Sequence, residues 1–517
     1  MRNRPKWLEN AIFYEIYPQS FKDTNGDGIG DLRGIIQKLG YIERLGCNAI
    51  WINPCFVSPF GDAGYDVEDY YTIAPRYGTN EDMAELFREA HKRGMHVILD
   101  LVPGHTAVTH KWFKESLKAE KNEFSDRYVW TDSIWEEPGM CCIKGISDRD
   151  GCCGVNFFSH QPALNYGFYE RDPEKKWQQS PDDPAPVATR EAMKDVMRFW
   201  LKAGCDGFRV DMAGSLVKND PDGKGTIKLW QNIREFLDGE FPEAAIISEW
   251  GEPDKSLEGG FHMDFLLHFG PSRYNDLFRC PEPWFSSRGK GDIREFLKKY
   301  TENYAKAKDG LICIPSGNHD MDRLARGLSQ REMKIAFAFL LTMPGAPFIY
   351  YGDEIGMRYV EGLTSVEGGY GRTGSRSPMQ WDDSVNCGFS TASPEKLYIP
   401  MDSAVCRPTA AGQACDENSL YNEVKKLIEI RKDYPALQNT AEWELICGET
   451  ENYPLIYLRG SGNEQMAVVI NPGNDEREAN IGKTALGKSI YTFGGEVWGK
   501  SGKVIVPGGS AGIYTVK

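Results

Sequence analysis

Two carboxylates each close a short apolar run: Asp211 in Gly207-Phe-Arg-Val-Asp-Met-Ala213, and Glu249 in Ala245-Ile-Ile-Ser-Glu-Trp250. They stand roughly forty residues apart, the length of one βα repeat, so they are expected to be neighbours in space. Successive parallel strands that end in carboxylates can supply the acid and the nucleophile that break a glycosidic bond.

The elements that must position this pair are legible as further apolar runs: Ala11 to Ile16, Ala49 to Asn53, His96 to Asp100, Met263 to Leu267, Leu311 to Pro315 and Pro347 to Tyr351. With the runs ending at Asp211 and Glu249, these make eight strands. Stretches with helical periodicity lie between them, such as 31–45, 81–93, 192–202 and 226–237. The alternation predicts an α/β fold, a (β/α)8 TIM barrel whose strand ends open into one mouth. Several runs end in Asp, Glu or Asn, where a purely structural role would leave polar groups unpaired.

One interval is too long for a helix and two loops, between the third strand at Asp100 and the fourth at Asp206. It predicts an inserted lobe. After a helix over 419–432 the pattern turns to short alternating runs broken by Gly, Asn and Pro, which predicts a β-sandwich. The expected division is barrel over 1–105, inserted B domain over 106–170, barrel again over 171–436 and a β domain over 437–517.

A net charge of -15 and a pI near 5.2 argue against nucleic acid or an anionic membrane as partner. Aromatic residues make up 12% of the chain, which suits flat rings packing on sugars, although most such rings fill cores. No run of 18 apolar residues occurs and no apolar segment follows the charged N-terminus, so neither a membrane span nor a signal peptide is expected. The 13 cysteines are expected as reduced thiols, in cytoplasm. The pairs Cys141-Cys142 and Cys152-Cys153 could form a redox pair or bind a metal, but adjacent thiols lack the usual zinc spacing.

Four motifs follow in order along the strand ends: Asp100-Leu-Val-Pro-Gly-His105, Gly207-Phe-Arg-Val-Asp211, Glu249 and Gly317-Asn-His-Asp320. The set resembles the α-amylase superfamily, glycoside hydrolase family thirteen, in its α-glucosidase branch. The resemblance extends through Gly30-Asp-Leu-Arg-Gly-Ile35, Gln161-Pro-Ala-Leu-Asn165 and Gly345 to Glu354, nearly the whole chain. It implies a catalytic barrel with an inserted B domain and a C-terminal β domain.

The resemblance also implies roles. Asp211 would attack the anomeric carbon, held ionised by Arg209 on the same strand face. Glu249 would protonate the leaving oxygen and then deprotonate water, and like charge from Asp211 and Asp320 gives a reason for it to hold a proton. Carboxyls about 5 Å apart imply retention through a covalent glucosyl-enzyme. Asp320 would grip ring hydroxyls, and His105 and His319 would donate to them. Tyr65 would stack on the same sugar, and Asp66 would bind its far hydroxyls. Asp66 with an arginine from the loop Gly371 to Asp383, Arg376 or Arg372, would close the pocket and make the enzyme exo-acting.

The loop Asp23-Thr-Asn-Gly-Asp-Gly-Ile-Gly-Asp31 sets oxygen ligands at alternate positions, Asp23, Asn25, Asp27, the Ile29 carbonyl and Asp31. It lacks the Glu that an EF-hand needs at its twelfth position, where Gly34 stands. Similar loops in the resembled branch bind structural Ca2+; the alternative is an Asx-rich turn without metal.

Within that branch the residue after the nucleophile tracks linkage, Val with α-1,6 and smaller or polar residues with α-1,4; here it is Met212. Ala163 stands where α-1,6 members carry Asp, so both linkages stay open. The leading expectation is an α-glucosidase on short oligosaccharides or disaccharides. A transglucosylase or a trehalose- or sucrose-type isomerase would use the same residues. The intact carboxylates argue against a third class, transporter-associated binding proteins. Monomer and homo-oligomer fit the sequence equally well.

Overall fold

All eight apolar runs form parallel strands that close into one barrel. They are β1 (Phe13–Ile16), β2 (Ala49–Ile52), β3 (His96–Leu101), β4 (Gly207–Val210), β5 (Ala245–Ser248), β6 (Met263–Phe265), β7 (Leu311–Pro315) and β8 (Pro347–Tyr350). The computed structural model describes residues 4–307, 310–500 and 502–517. Each strand pairs with its neighbour in sequence and β1 closes on β8, so sequence neighbours are spatial neighbours. Register sets Asp100 of β3 beside Arg209 of β4. Alternate side chains fill the barrel interior: Phe13, Trp51, Ile98, Ile247, Phe265 and Phe348 form one buried cluster there. Phe13 and Phe348 stack face to face at 4.2 Å, which makes this a packed core and leaves the mouth as the open end.

The helices between strands begin and end on local signals. Asp31 caps the helix Leu32–Leu45 by accepting from the Gly34 N–H, and Gly46 ends it at φ 106°, a left-handed conformation that suits glycine. Thr79 and Asp82 form a capping box on the helix Asn80–His91. The helix expected over 192–202 in fact starts at Pro184. Pro184 and Pro186 hide that start in the sequence, yet proline is tolerated in a first turn because its missing N–H would have no partner there.

Between β3 and β4 lie a short helix, Lys111–Ser116, and a hairpin of Cys142–Lys144 with Cys152–Gly154. An isolated bridge from His105 to Ala163 ties the lobe to the end of β3. The four cysteines of the hairpin are free thiols, and among the described residues no cluster of three His, Cys, Asp or Glu side chains is arranged to hold a metal.

The C-terminal part is two antiparallel sheets. The strands are β9 (Trp443–Cys447), β10 (Leu455–Arg459), β11 (Met466–Asn471), β12 (Arg477–Asn480), β13 (Leu486–Phe493), β14 (Trp498–Lys500), β15 (Lys503–Val506) and β16 (Ser510–Val516). One sheet runs β9-β10-β11-β16-β13 and the other β12-β15-β14. Ile456, Val469, Ala479, Val504, Val506 and Tyr514 pack between them, as a sandwich requires. Among the described residues no helix is long and apolar enough to cross a membrane.

Candidate active site

Asp211 and Glu249 follow β4 and β5 directly. The barrel ladder continues past each strand end, with the Asp211 N–H donating to Leu101 O and the Glu249 N–H to Val210 O, both at 2.9 Å. Backbone bonds therefore fix where both carboxyls leave the barrel.

One guanidinium holds the pair together. Arg209 lies on β4, 2% exposed; its Nη1 is 2.9 Å from both Asp211 Oδ1 and Asp100 Oδ1, and its Nη2 is 2.8 Å from Glu249 Oε1. A planar fork suits this bridging and a point charge would not. Burial and then the Glu249 charge push Asp211 well above the usual carboxylate range while Arg209 pulls it down, so Arg209 alone does not keep Asp211 ionised as the resemblance implied. Burial likewise raises Asp100 to about 6 against the pull of Arg209.

Asp320 follows β7 and receives two arginines on one oxygen, Arg372 Nη1 at 2.8 Å and Arg376 Nη2 at 2.9 Å. Burial would raise it, but the charges of Arg376 and Arg372 outweigh burial and hold it far below the usual range. It stays a carboxylate. The His319 ring stacks on Tyr65 with centroids 5.4 Å apart, and its Nε2 lies 2.8 Å from the Tyr65 hydroxyl.

These groups meet at a cavity of about 690 Å3 in the barrel mouth, lined by Asp211, Glu249, Asp320, Tyr65, His105 and Arg372 among others. That volume falls within the range of small-ligand sites. Met212 lines it too, at φ 44°.

Three sequence expectations need correction. Asp66 does not reach the cavity: it is fully buried, and its carboxylate accepts from Ser58 Oγ and the N–H groups of Gly61 and Asp62. The residue at the wall is Asp62, which accepts from Gln161 Nε2 at 2.8 Å and faces Arg372 at 3.9 Å. Arg376 also lies outside the cavity wall, buried behind Asp320 with its Nε on His319 O; Arg372 is the arginine that faces the cavity. His105 lines the cavity, yet its Nε2 is 3.1 Å from Tyr65 O and its Nδ1 is 3.3 Å from the Asn156 amide. Those contacts engage both ring nitrogens, so the ring braces the Tyr65 loop.

Sequence reasoning passed over Asp62, the rings of Phe157, Phe158 and Phe269 and His268 at the cavity wall. Asp62 sits three residues before Tyr65, and only the fold of that turn reveals which acid faces outward. Ala163 is buried among Val129, Phe168 and Trp177, away from the cavity.

Residues 15–440 match the family described as alpha amylase, catalytic domain. The chain belongs to the alpha-amylase family. It is 32% identical to trehalose synthase/amylase TreS of Mycobacterium tuberculosis, over 92% of this chain and 82% of that protein. It is also 32% identical to oligo-1,6-glucosidase of Parageobacillus thermoglucosidasius, over 90% of each. Among solved structures, the isomaltulose synthase of Erwinia rhapontici NX5 with sucrose superposes with a TM-score of 0.83 at 27% identity, over 99% of both chains. Membership in the alpha-amylase family with glucosidase relatives makes the chain a glycoside hydrolase. The names of these relatives divide between glucosidase and synthase.

The early loop offers oxygen donors of the kind calcium takes. Asp23 accepts from the N–H groups of Asn25, Gly26 and Gly28 and from Ser390 Oγ, and Asp31 from the N–H groups of Thr24 and Gly34. As folded, the loop closes on its own amides.

Proposed function

We propose that the chain is an exo-acting, retaining α-glucosidase that removes terminal α-linked glucose from short gluco-oligosaccharides, α-1,4, α-1,6 or both. The observation that carries this reading is the pairing of Asp62 and Arg372, 3.9 Å apart, beside Asp320 in the same cavity as Asp211 and Glu249. A cavity shut beyond the first sugar accepts only a chain end.

In this reading Asp211 attacks the anomeric carbon while Glu249 gives its proton to the leaving oxygen, and Glu249 then takes a proton from the water that releases glucose. Arg209 supports it, because one fork contacting both carboxyls favours the close spacing that retention needs. Asp320 stays ionised and accepts from sugar hydroxyls, and Tyr65 packs on the ring. His319, fully buried off the cavity wall with its Nε2 on the Tyr65 hydroxyl, braces Tyr65 in place of the sugar contact expected of it.

A second reading is an isomerase or transglucosylase. The rings of Phe157, Phe158, Phe269 and Tyr370 at the cavity support it, since an apolar rim can hold a sugar acceptor and keep water off the intermediate. Chromatography of products from maltose, isomaltose, sucrose and trehalose tests both. Glucose as the main product supports the glucosidase; an isomeric disaccharide sinks it.

We also propose a structural Ca2+ at the loop of Asp23, Asn25, Asp27, Ile29 and Asp31, on the strength of its donor types. As folded, these aspartates accept from the loop's own N–H groups and are not gathered, so the ion would have to draw them together. The ion would hold the loop that leads into the helix Leu32–Leu45 and takes no part in the reaction. Thermal melting with calcium against chelator tests it, with an unchanged midpoint counting against the ion.

A further inference from the structure

Glu15 lies on β1, fully buried beneath the cavity, and none of the roles above uses it. Its Oε1 is 3.0 Å from His319 Nδ1 and 3.2 Å from the amide nitrogen of Asn53, and its Oε2 has no hydrogen-bond partner. An anion with an unsatisfied oxygen in such a place is costly.

Proton positions along these contacts follow from their far end. Asp100 receives Arg209 Nη1 at 2.9 Å, Trp51 Nε1 at 3.1 Å and the Tyr65 hydroxyl at 3.1 Å. Guanidinium and indole N–H groups only donate, and above about pH 6 Asp100 is a carboxylate on Arg209, so it accepts from the Tyr65 hydroxyl too and the single Tyr65 proton is committed to it. The Tyr65 oxygen then accepts from His319 Nε2, which places the ring proton on Nε2. Nδ1 is left as an acceptor, with the Asn53 amide nitrogen 3.1 Å away and Glu15 Oε1 at 3.0 Å. An ionised Glu15 at 3.0 Å would set acceptor against acceptor.

We infer that Glu15 is a positioning residue: an un-ionised carboxylic acid whose O–H donates to Nδ1 of His319 and so holds the tautomer that carries its proton on Nε2. That proton faces Tyr65 and, 3.4 Å away, Asp320 at the cavity wall. The groups facing Glu15 come from five elements: Asn53 after β2, Asp100 on β3, Arg209 on β4, His319 after β7 and Tyr350 on β8. Burial pushes Glu15 well above the usual carboxylate range, and Asn53, Arg209 and His319 only partly offset it. Burial also holds His319 well below the usual histidine range, with Arg376, Arg209 and Arg372 adding to it and Asp320 opposing. A neutral acid against a neutral ring satisfies both. The kinetic consequence rests on the reading of Tyr65, which His319 Nε2 holds, as the ring that packs on the sugar; the proton's location does not.

The test is nitrogen NMR of the wild-type protein, without substrate, labelled only at its 8 histidines, with the His319 signals assigned by their loss in His319→Gln. The expected spectrum is a neutral ring protonated at Nε2 from about pH 6 to 8. A ring protonated at Nδ1, or at both nitrogens, overturns the inference. Glu15→Gln keeps a donor for Nδ1 and is expected to hold kcat/KM within about threefold, with the same His319 spectrum. Glu15→Leu removes the acid's O–H, leaves the Asn53 amide as the one neighbour able to donate to Nδ1, and is expected to lower kcat/KM by about 10-fold. Gln falling as far as Leu, or Leu matching wild type, contradicts the proposal. Should Leu fail to fold, the wild-type spectrum and the Gln variant decide. Should the products prove to be isomers instead of glucose, the spectrum is unaffected.

Discussion

The main-chain N–H of Met212 donates to Oε2 of Glu249 at 3.1 Å. The residue after Asp211 thus tethers the neighbouring acid, and its φ of 44° is an uncommon conformation for a residue with a side chain. The tether uses backbone alone, which frees the Met212 side chain to shape the cavity wall. Met212→Ala is expected to keep the melting temperature within a few degrees and to shift the ratio of maltose to isomaltose hydrolysis several-fold. Parallel rates on the two disaccharides check this; an unchanged ratio removes Met212 from linkage choice.

Arg209 touches three carboxylates at once. Arg209→Lys keeps the charge and loses the fork, so one ammonium cannot bridge Asp211 and Glu249. The expected loss in kcat/KM is at least about 1,000-fold, with about 3 kcal/mol of stability lost as buried carboxylates go unpaired. Steady-state kinetics with a denaturant melt check both; near-normal kcat would separate the bridge from catalysis.

In the exo-acting reading Asp62 and Arg372, 3.9 Å apart, close one end of the cavity, and Arg372→Ala opens it. The variant is expected to release maltose and longer pieces from maltoheptaose, where the parent releases glucose. A product ladder unchanged from wild type would mean that something else stops the chain.

The eight strands were legible because buried parallel strands read as short apolar runs, and the candidate carboxyls Asp211 and Glu249 because they end such runs. What the sequence concealed is orientation. Asp62 and Asp66 flank the same Tyr65, and the turn that spends Asp66 on the N–H groups of Gly61 and Asp62 decides which acid faces the cavity. Arg372 and Arg376 differ in the same way, one at the wall and one behind Asp320. Glu15 was visible as a charged residue inside an apolar strand, but its meaning depends on His319, three hundred residues away in the chain.

His110 caps the helix Lys111–Ser116 by accepting from the Trp112 N–H with Nδ1, and burial lowers it to about 4. Its folded value lies below the unfolded one, so its contribution to stability is full above about pH 6.5 and is lost as pH falls toward about 4. The amount is on the order of 3 kcal/mol. His110→Asn keeps a capping acceptor without the titration. Melting curves from pH 7 to 4 should show the variant's deficit shrinking on acidification; a constant gap would contradict it.

The central claim is that Asp211 and Glu249, held on one Arg209, cleave with retention. Proton NMR of the first glucose released from maltose, read before mutarotation, tests it directly. The account predicts α-glucose first, drifting to the equilibrium mixture; β-glucose first would contradict it.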